Sequence, residues 1–267
     1  MKYTINNNNI EIICPDFSLD ETLDCGQAFR WEKTGSEFDV TYKGFFLDKY
    51  LEISQSGEKI IFHNTTPEDF ENIWTDYFDL DTDYGKIKKQ LSKDETLKKA
   101  CCFAGGIRLL RQDFWETLIS FIISQNNNIP RIKGIISRLC ENYGHFPTAS
   151  ELSVETPESL SFLRAGFRAK YIVDAALRIS SGEITYENIK NIPLQDAEKM
   201  LMNIKGVGPK VAECVLLFGA HKTDAFPIDV WMKRVMENYY PDGLPECTKG
   251  IEGIAQQYLF HYIRNLD

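Results

Sequence analysis

At 267 residues, with 43% hydrophobic and 26% charged content, the chain has the make-up of a soluble globular protein, one large domain or two to three small ones sharing a core. No segment reaches the roughly 18 consecutive apolar residues of a membrane helix, and the polar start lacks the basic-then-apolar run of a signal peptide, so no membrane partner is expected. A formal net charge of -9 weighs against nucleic-acid binding, which draws its affinity largely from Lys and Arg.

Up to about residue 64 the sequence reads as short strands. Residues 29–33, 38–54 and 59–64 are rich in aromatic and β-branched side chains, and they are separated by turn signals at Thr34-Gly35-Ser36 and Ser56-Gly57-Glu58. An antiparallel meander is the simplest arrangement, with the run Asn6 to Asn9 before it as a loop. The character changes at Thr66-Pro67-Glu68-Asp69, a helix start with Pro at the first helical position. From there helical periodicity dominates, with apolar residues three and four apart over 113–125, 131–143, 169–182, 196–204, 210–220 and 228–240. The fold class expected is therefore α+β. An N-terminal antiparallel β-sheet domain with trailing helices over 1–95 precedes a two-lobed, mostly helical body over 96–267.

Seven cysteines, an odd number with Cys101 and Cys102 adjacent, suit reduced thiols in a cytosol better than a disulfide framework. Net charge is a global sum, and binding depends on where charges sit. From Leu163 to Ser181 the chain carries Arg164, Arg168, Lys170 and Arg178 against only Asp174, so a basic face on an otherwise acidic molecule is expected.

The most informative stretch runs from Leu201 to Leu216. An apolar helix runs into Gly206-Val207-Gly208, and a second begins at Pro209, giving a helix-hairpin-helix over about 196–218. Two glycines around one apolar residue permit a very tight turn. Backbone N–H groups of Gly206, Val207 and Gly208 at a helix start form a natural phosphate site, although spacing alone fits a ligand-free helical hairpin equally well. Lys210 falls in the first turn of the second helix, where the helix dipole disfavours a cation. That end of the dipole, with partial burial, favours the neutral nucleophilic amine, while a solvated phosphate-holding lysine is the plainer alternative. Asp229 precedes the helical run from residue 230, where an N-cap and a functional carboxylate are compatible readings.

The unit from Gly206 to Asp229, with Lys210 and Asp229 in register, resembles the helix-hairpin-helix DNA glycosylase superfamily. Within it the lysine marks the glycosylase/lyases, and the iron–sulfur branch carries four cysteines after this unit, where only Cys247 follows here. Four further segments resemble the 8-oxoguanine DNA glycosylases, in that family's order across almost the whole chain: Cys25-Gly-Gln-Ala-Phe-Arg-Trp31, Asn126-Asn-Asn-Ile-Pro-Arg131, Gly166-Phe-Arg-Ala-Lys-Tyr171 and Ala255-Gln-Gln-Tyr-Leu-Phe260.

The resemblance implies the following roles. 8-Oxoguanine carries a proton on N7 where guanine has a lone pair, and the Gly26 carbonyl would accept it. Gln256 would read the Watson–Crick edge, Phe260 and Cys214 would sandwich the flipped base, and Pro227 would line the same pocket. Asn126, Arg131 and Arg168 would hold the orphaned cytosine while Phe167 wedges into the stack. Asn127 and Asn128 read as structural caps or turns, and the backbone of Met202, Ile204 and Val207 would hold a structural monovalent cation. Lys210 would attack C1′ with Asp229 stabilising the oxocarbenium-like charge, and a Schiff base would then permit β-elimination. No cofactor is required. The expected partner is double-stranded DNA containing 8-oxoguanine, bound by a monomer at the nucleoid of a prokaryotic cytoplasm.

Two departures from the family pattern concern DNA grip and the preference for cytosine: Trp231 stands where His is usual, and Phe167 where Tyr is better known. Three other functions stay open. A glycosylase for alkylated bases is opposed by Lys210 and Gly26, and a silent DNA-binding module by the pairing of Lys210 with Asp229. A metal-dependent nuclease finds no carboxylate cluster with metal-ligand spacing.

Overall fold

A computed structural model describes residues 1–35 and 37–266 and divides the chain into two compact units, one of Met1–Arg111 with Ile228–Asp267 and one of Gln112–Pro227. The units therefore do not divide at the expected 95/96 boundary, and the last forty residues return to the first unit. Amphipathic periodicity shows that a helix buries one face but not which part of the chain that face meets.

The first unit carries a six-stranded antiparallel sheet in the order β1-β2-β6-β5-β4-β3. Its strands are β1 (Thr4–Asn6), β2 (Asn9–Ile13), β3 (Trp31–Thr34), β4 (Val40–Phe46), β5 (Lys49–Ser56) and β6 (Lys59–His63). The meander expected from sequence is the β3-to-β6 part, and the turn signal after β3 extends to Ser36, outside the described residues. The asparagine run is a connection only at its middle, since Asn6 ends β1 and Asn9 begins β2. Asn7 and Asn8, with φ of 47° and 68°, make the two-residue turn of a β1–β2 hairpin, whose positive φ values match the twist of the strands. That hairpin adds to β6 through Ile10↔Phe62 and Ile12↔Ile60.

Alternation along the strands turns Ile10, Ile12, Leu51, Ile53, Ile60 and Phe62 into one core. The helical segment from Pro67, capped by Thr66 as the sequence led one to expect, lays Phe70, Trp74, Tyr77 and Phe78 on that face. Trp31 is fully buried there and donates its indole N–H to the Tyr77 hydroxyl at 2.6 Å. The C-terminal segment is fastened to the same unit by polar contacts: Tyr240 donates to Asp94 Oδ1 at 2.6 Å, and Gln90 donates to the Cys247 carbonyl at 2.8 Å.

The second unit is helical among its described residues. Asp113 caps the helix Phe114–Ser124, accepting the Glu116 amide at 2.8 Å, and Asn128 caps Ile129–Tyr143. No helix among the described residues is long and apolar enough to cross a membrane.

Gly44 on β4 lies directly beneath Trp31. A Cβ there would sit 2.5 Å from the indole ring and 2.6 Å from the Arg30 carbonyl. Gly44→Ala is therefore expected to lower stability by about 1–3 kcal/mol through overpacking, read as a lower denaturation midpoint in urea. An unchanged midpoint would show that β3 gives way without strain.

Candidate active site

In the second unit, the helix Leu194–Leu201 leads through a tight turn into the helix Pro209–Gly219. The turn is closed by the Val207 amide donating to the Ile204 carbonyl at 3.1 Å. Gly206 has φ of 77°, and a Cβ on it would lie 2.3 Å from the Tyr171 ring, so this position needs glycine for both backbone and space. Gly208 differs. Its φ is −102°, which any residue adopts, and a Cβ there meets no protein atom within 4 Å. Only the first glycine shapes the turn; the second keeps the helix start open on its outer side. Asp174 supports the turn from the neighbouring helix Ala169–Ser180, accepting the Lys205 amide at 2.9 Å and Arg178 Nε at 3.1 Å. Those bonds and the positive charges outweigh its desolvation and hold its carboxyl below the ordinary range.

Pro209 takes the first helical position and Lys210 the second, as the sequence spacing implied. The Lys210 side chain is half-buried, with Nζ 5.2 Å from the centroid of Phe121, whose ring stacks on Phe218. The aromatic face holds the amine against an apolar wall at the positive end of a helix. Cys214, one turn further along the same helix face, is buried, as is Pro227 at the end of the unit.

The loop residues expected to face DNA lie on two adjoining turns. Phe167 is 49% exposed on a single 3₁₀ turn, its ring edge-on to Tyr171 with centroids 5.8 Å apart. Asn126, with φ of 49°, and Arg131 are exposed, while Asn127 donates to the Ile123 carbonyl at 2.8 Å. Arg168 is different: it is 4% exposed. Its guanidinium donates to the carbonyls of Gln125, from Nε at 2.8 Å, and Ala165, at 3.0 Å. It also stacks on Phe167, 4.5 Å from the ring centroid. Burial, and then the charge of Arg131, lower its pKa. Here it braces the Asn126 turn instead of presenting its donors outward. Arg178 is likewise paired with Asp174 and Glu183, so Arg164 and Lys170 are the exposed cations of the expected basic stretch.

In the first unit, Asp229 caps the helix Val230–Tyr239, its Oδ1 accepting the amides of Trp231 and Met232, both at 2.9 Å. Trp231 stacks with Arg234, whose guanidinium lies 4.9 Å from the ring centroid. Gly26 is half-buried with φ of 87°, while Cys25 and Gln27 on either side turn their side chains inward and are buried. Gln256 is buried and Phe260 half-buried on the helix Glu252–Arg264. Next to Gln256 stands Gln257, to which the sequence alone assigned no role; it is 4% exposed and donates to Gln256 Oε1 at 2.6 Å. A second glutamine in an apolar helix core was the one available signal.

Capping and chemistry at Asp229 are separable. Asp229→Ala is expected to lower stability by about 1 kcal/mol, whereas Asp229→Asn, an equally good cap, leaves it nearly unchanged. Thermal unfolding of both variants measures the difference, and equal losses would mean that the charge, not the cap, holds the helix start.

Residues 10–118 match the family model of the 8-oxoguanine DNA glycosylase N-terminal domain, and 119–246 that of the HhH-GPD superfamily of base excision DNA repair proteins. The chain is 33% identical over 258 residues to an N-glycosylase/DNA lyase of Saccharomyces cerevisiae, covering 84% of this chain and 69% of that protein. Its fold matches the 8-oxoguanine glycosylase/lyase of Clostridium acetobutylicum, solved in complex with dsDNA containing cytosine opposite to 8-oxoG, with a TM-score of 0.90 and 38% identity over 100% of this chain and 98% of that one. It also matches MBOgg1, solved in complex with a low affinity DNA ligand, with a TM-score of 0.91 and 41% identity over 100% and 99% of the two chains. The chain belongs to the 8-oxoguanine DNA glycosylase family, within the HhH-GPD superfamily of base excision DNA repair proteins.

Proposed function

We propose that this chain is a bifunctional DNA glycosylase and AP lyase that removes 8-oxoguanine from duplex DNA, acting as a monomer at the nucleoid of a cytoplasm. The observation that carries the reading is the placement of Lys210, half-buried at the second position of its helix with its amine against Phe121. A surface lysine that merely held phosphate would extend into water.

The lesion is swung out of the duplex, which costs a few kcal/mol and is offset by the pocket and the gap-filling residues. The Lys210 amine attacks C1′ as the bond from C1′ to N9 breaks and the base leaves with a proton. Asp229, its Oδ1 held in place by two capping amides, stabilises the positive charge that develops on the sugar. Loss of an amine proton and opening of the sugar give a Schiff base; removal of a C2′ proton then expels the 3′ phosphate and nicks the strand.

The Gly26 carbonyl accepts the N7 proton that distinguishes 8-oxoguanine from guanine, and Gln256 reads the Watson–Crick edge. Phe260 and Cys214 contact the two faces of the base, with Pro227 beside it. Phe167 fills the gap, Asn126 and Arg131 address the orphaned cytosine, and Arg168 supports them by fixing the Asn126 turn. The amides of Gly206 and Gly208 take a backbone phosphate, which the open outer side of Gly208 lets approach closely, whereas the expected Val207 amide is already donated to the Ile204 carbonyl and only shapes the turn. A monovalent cation fits the carbonyls of Met202, Ile204 and Val207, hard oxygen donors on a turn whose Ile204 oxygen accepts only the Val207 amide among the backbone bonds described. It would add positive charge beside that phosphate.

The test is a duplex carrying one 8-oxoguanine opposite cytosine, incubated with EDTA and borohydride. The wild type is expected to release the base and form a covalent protein–DNA adduct, and Lys210→Gln to form none. Absence of both base release and adduct from the wild type would overturn the assignment. Base release without an adduct would make the enzyme monofunctional and place Asp229 at the centre of the chemistry.

A further inference from the structure

Four buried side chains of the first unit form one hydrogen-bonded chain that the proposed chemistry does not by itself require. Gln27 is anchored to backbone at both ends of its amide: Nε2 donates to the carbonyls of Thr22 at 2.9 Å and Arg108 at 2.8 Å, and Oε1 accepts the Leu110 amide at 3.0 Å. Its Nε2 also lies 3.4 Å from the Cys25 sulfur. The Cys25 thiol has two acceptors within reach of its single proton, the Thr22 carbonyl at 3.3 Å and Gln257 Oε1 at 3.6 Å from the sulfur. Gln257 Nε2 donates in turn to Gln256 Oε1 at 2.6 Å. All four are at most 5% exposed. Gly26, between Cys25 and Gln27, is the residue whose carbonyl meets the N7 proton, and Gln256 is the residue that meets the Watson–Crick edge.

We infer that Gln257 is a positioning residue that fixes which end of the Gln256 amide is oxygen, and thereby makes the enzyme selective for a guanine-type edge; this rests on the reading of Gln256 given above. An amide offers a donor and an acceptor, and a flip exchanges them. 8-Oxoguanine presents an acceptor beside two donors, whereas 8-oxoadenine presents a donor beside an acceptor, so a flipped Gln256 would favour the wrong purine. With Gln257 in place the flip sets two N–H donors against each other in a buried site. Gln257 cannot turn to relieve this, because its own oxygen faces the Cys25 thiol. Burial pushes that thiol up to about 11, so it stays a protonated donor at neutral pH. The flanks of Gly26 therefore hold both base readers in one arrangement.

The experiment compares wild type, Gln257→Leu, Cys25→Ala and Cys25→Ser in three single-turnover reactions: release of 8-oxoguanine, release of 8-oxoadenine, and nicking of a preformed abasic site. Gln257→Leu is expected to lose about tenfold in the ratio of 8-oxoguanine to 8-oxoadenine release, the size of one buried hydrogen bond, while abasic nicking is retained. Cys25→Ala, which removes the thiol without touching the recognition helix, is expected to shift the ratio in the same direction, with Cys25→Ser closer to wild type than Cys25→Ala. An unchanged ratio in both Gln257→Leu and Cys25→Ala overturns the inference. So does an equal loss in all three reactions, which marks a merely structural role. A wild type that releases no 8-oxoguanine at all overturns the proposed function and this inference with it; a wild type that releases it normally confines any failure to Gln257.

Discussion

The ring of Tyr171 packs against Gly206, and the placement of the Lys210 amine proposed to react depends on that contact. With no side chain at Gly206 the chain can turn at a positive φ directly over the ring, so the next helix begins at Pro209. Lys210 is then held in its first turn, where a cation is unfavourable unless it has a purpose. Tyr171 also meets the edge of Phe167, and three residues further on Asp174 accepts the Lys205 amide. One helix, Ala169–Ser180, thus supports the turn on one side and the exposed wedge at its own start. Within this unit the groups proposed to touch phosphate, sugar and gap share a single rigid support.

The first unit carries residues proposed to recognise the base, a task for atoms that must not move. Gly26 is half-buried with a positive φ, and its neighbours are tied into the core by side-chain hydrogen bonds to backbone. Buried amides in such a network are costly if left unpaired, which makes a single arrangement strongly preferred. Asp229 combines two tasks in the proposed mechanism: one carboxylate oxygen takes two amides of the helix start, and the same carboxylate is proposed to face the charge on the sugar.

Much of this was legible in the sequence because the signals were local. Gly206 at the turn, Pro209 at the helix start, Asp229 and Asn128 as caps, and the alternation of β4 to β6 each follow from the conformational demands of a few adjacent residues. What was hidden depends on partners far along the chain. The β1–β2 hairpin was masked by an asparagine run, since two turn asparagines are not distinguishable by type from their strand neighbours. The return of the C-terminal segment to the first unit depends on bonds such as Tyr240 to Asp94, separated by 146 residues. For Arg168 the resemblance implied contact with the orphaned cytosine, and nothing local in the sequence signalled that its guanidinium is buried against the carbonyls of Gln125 and Ala165. Gln257 gave a local signal, a polar residue in an apolar run, but its partner, Cys25, lies 232 residues away.

The central claim is that one particular amine is delivered to the sugar. Digestion of the borohydride-reduced protein–DNA adduct, followed by mass analysis of the cross-linked peptide, tests it most directly. The deoxyribose remnant should be on Lys210. A remnant on Lys205, one turn away on the solvent side, or on the amino group of Met1, would contradict the account and leave the Gly206 turn a phosphate clamp without a nucleophile.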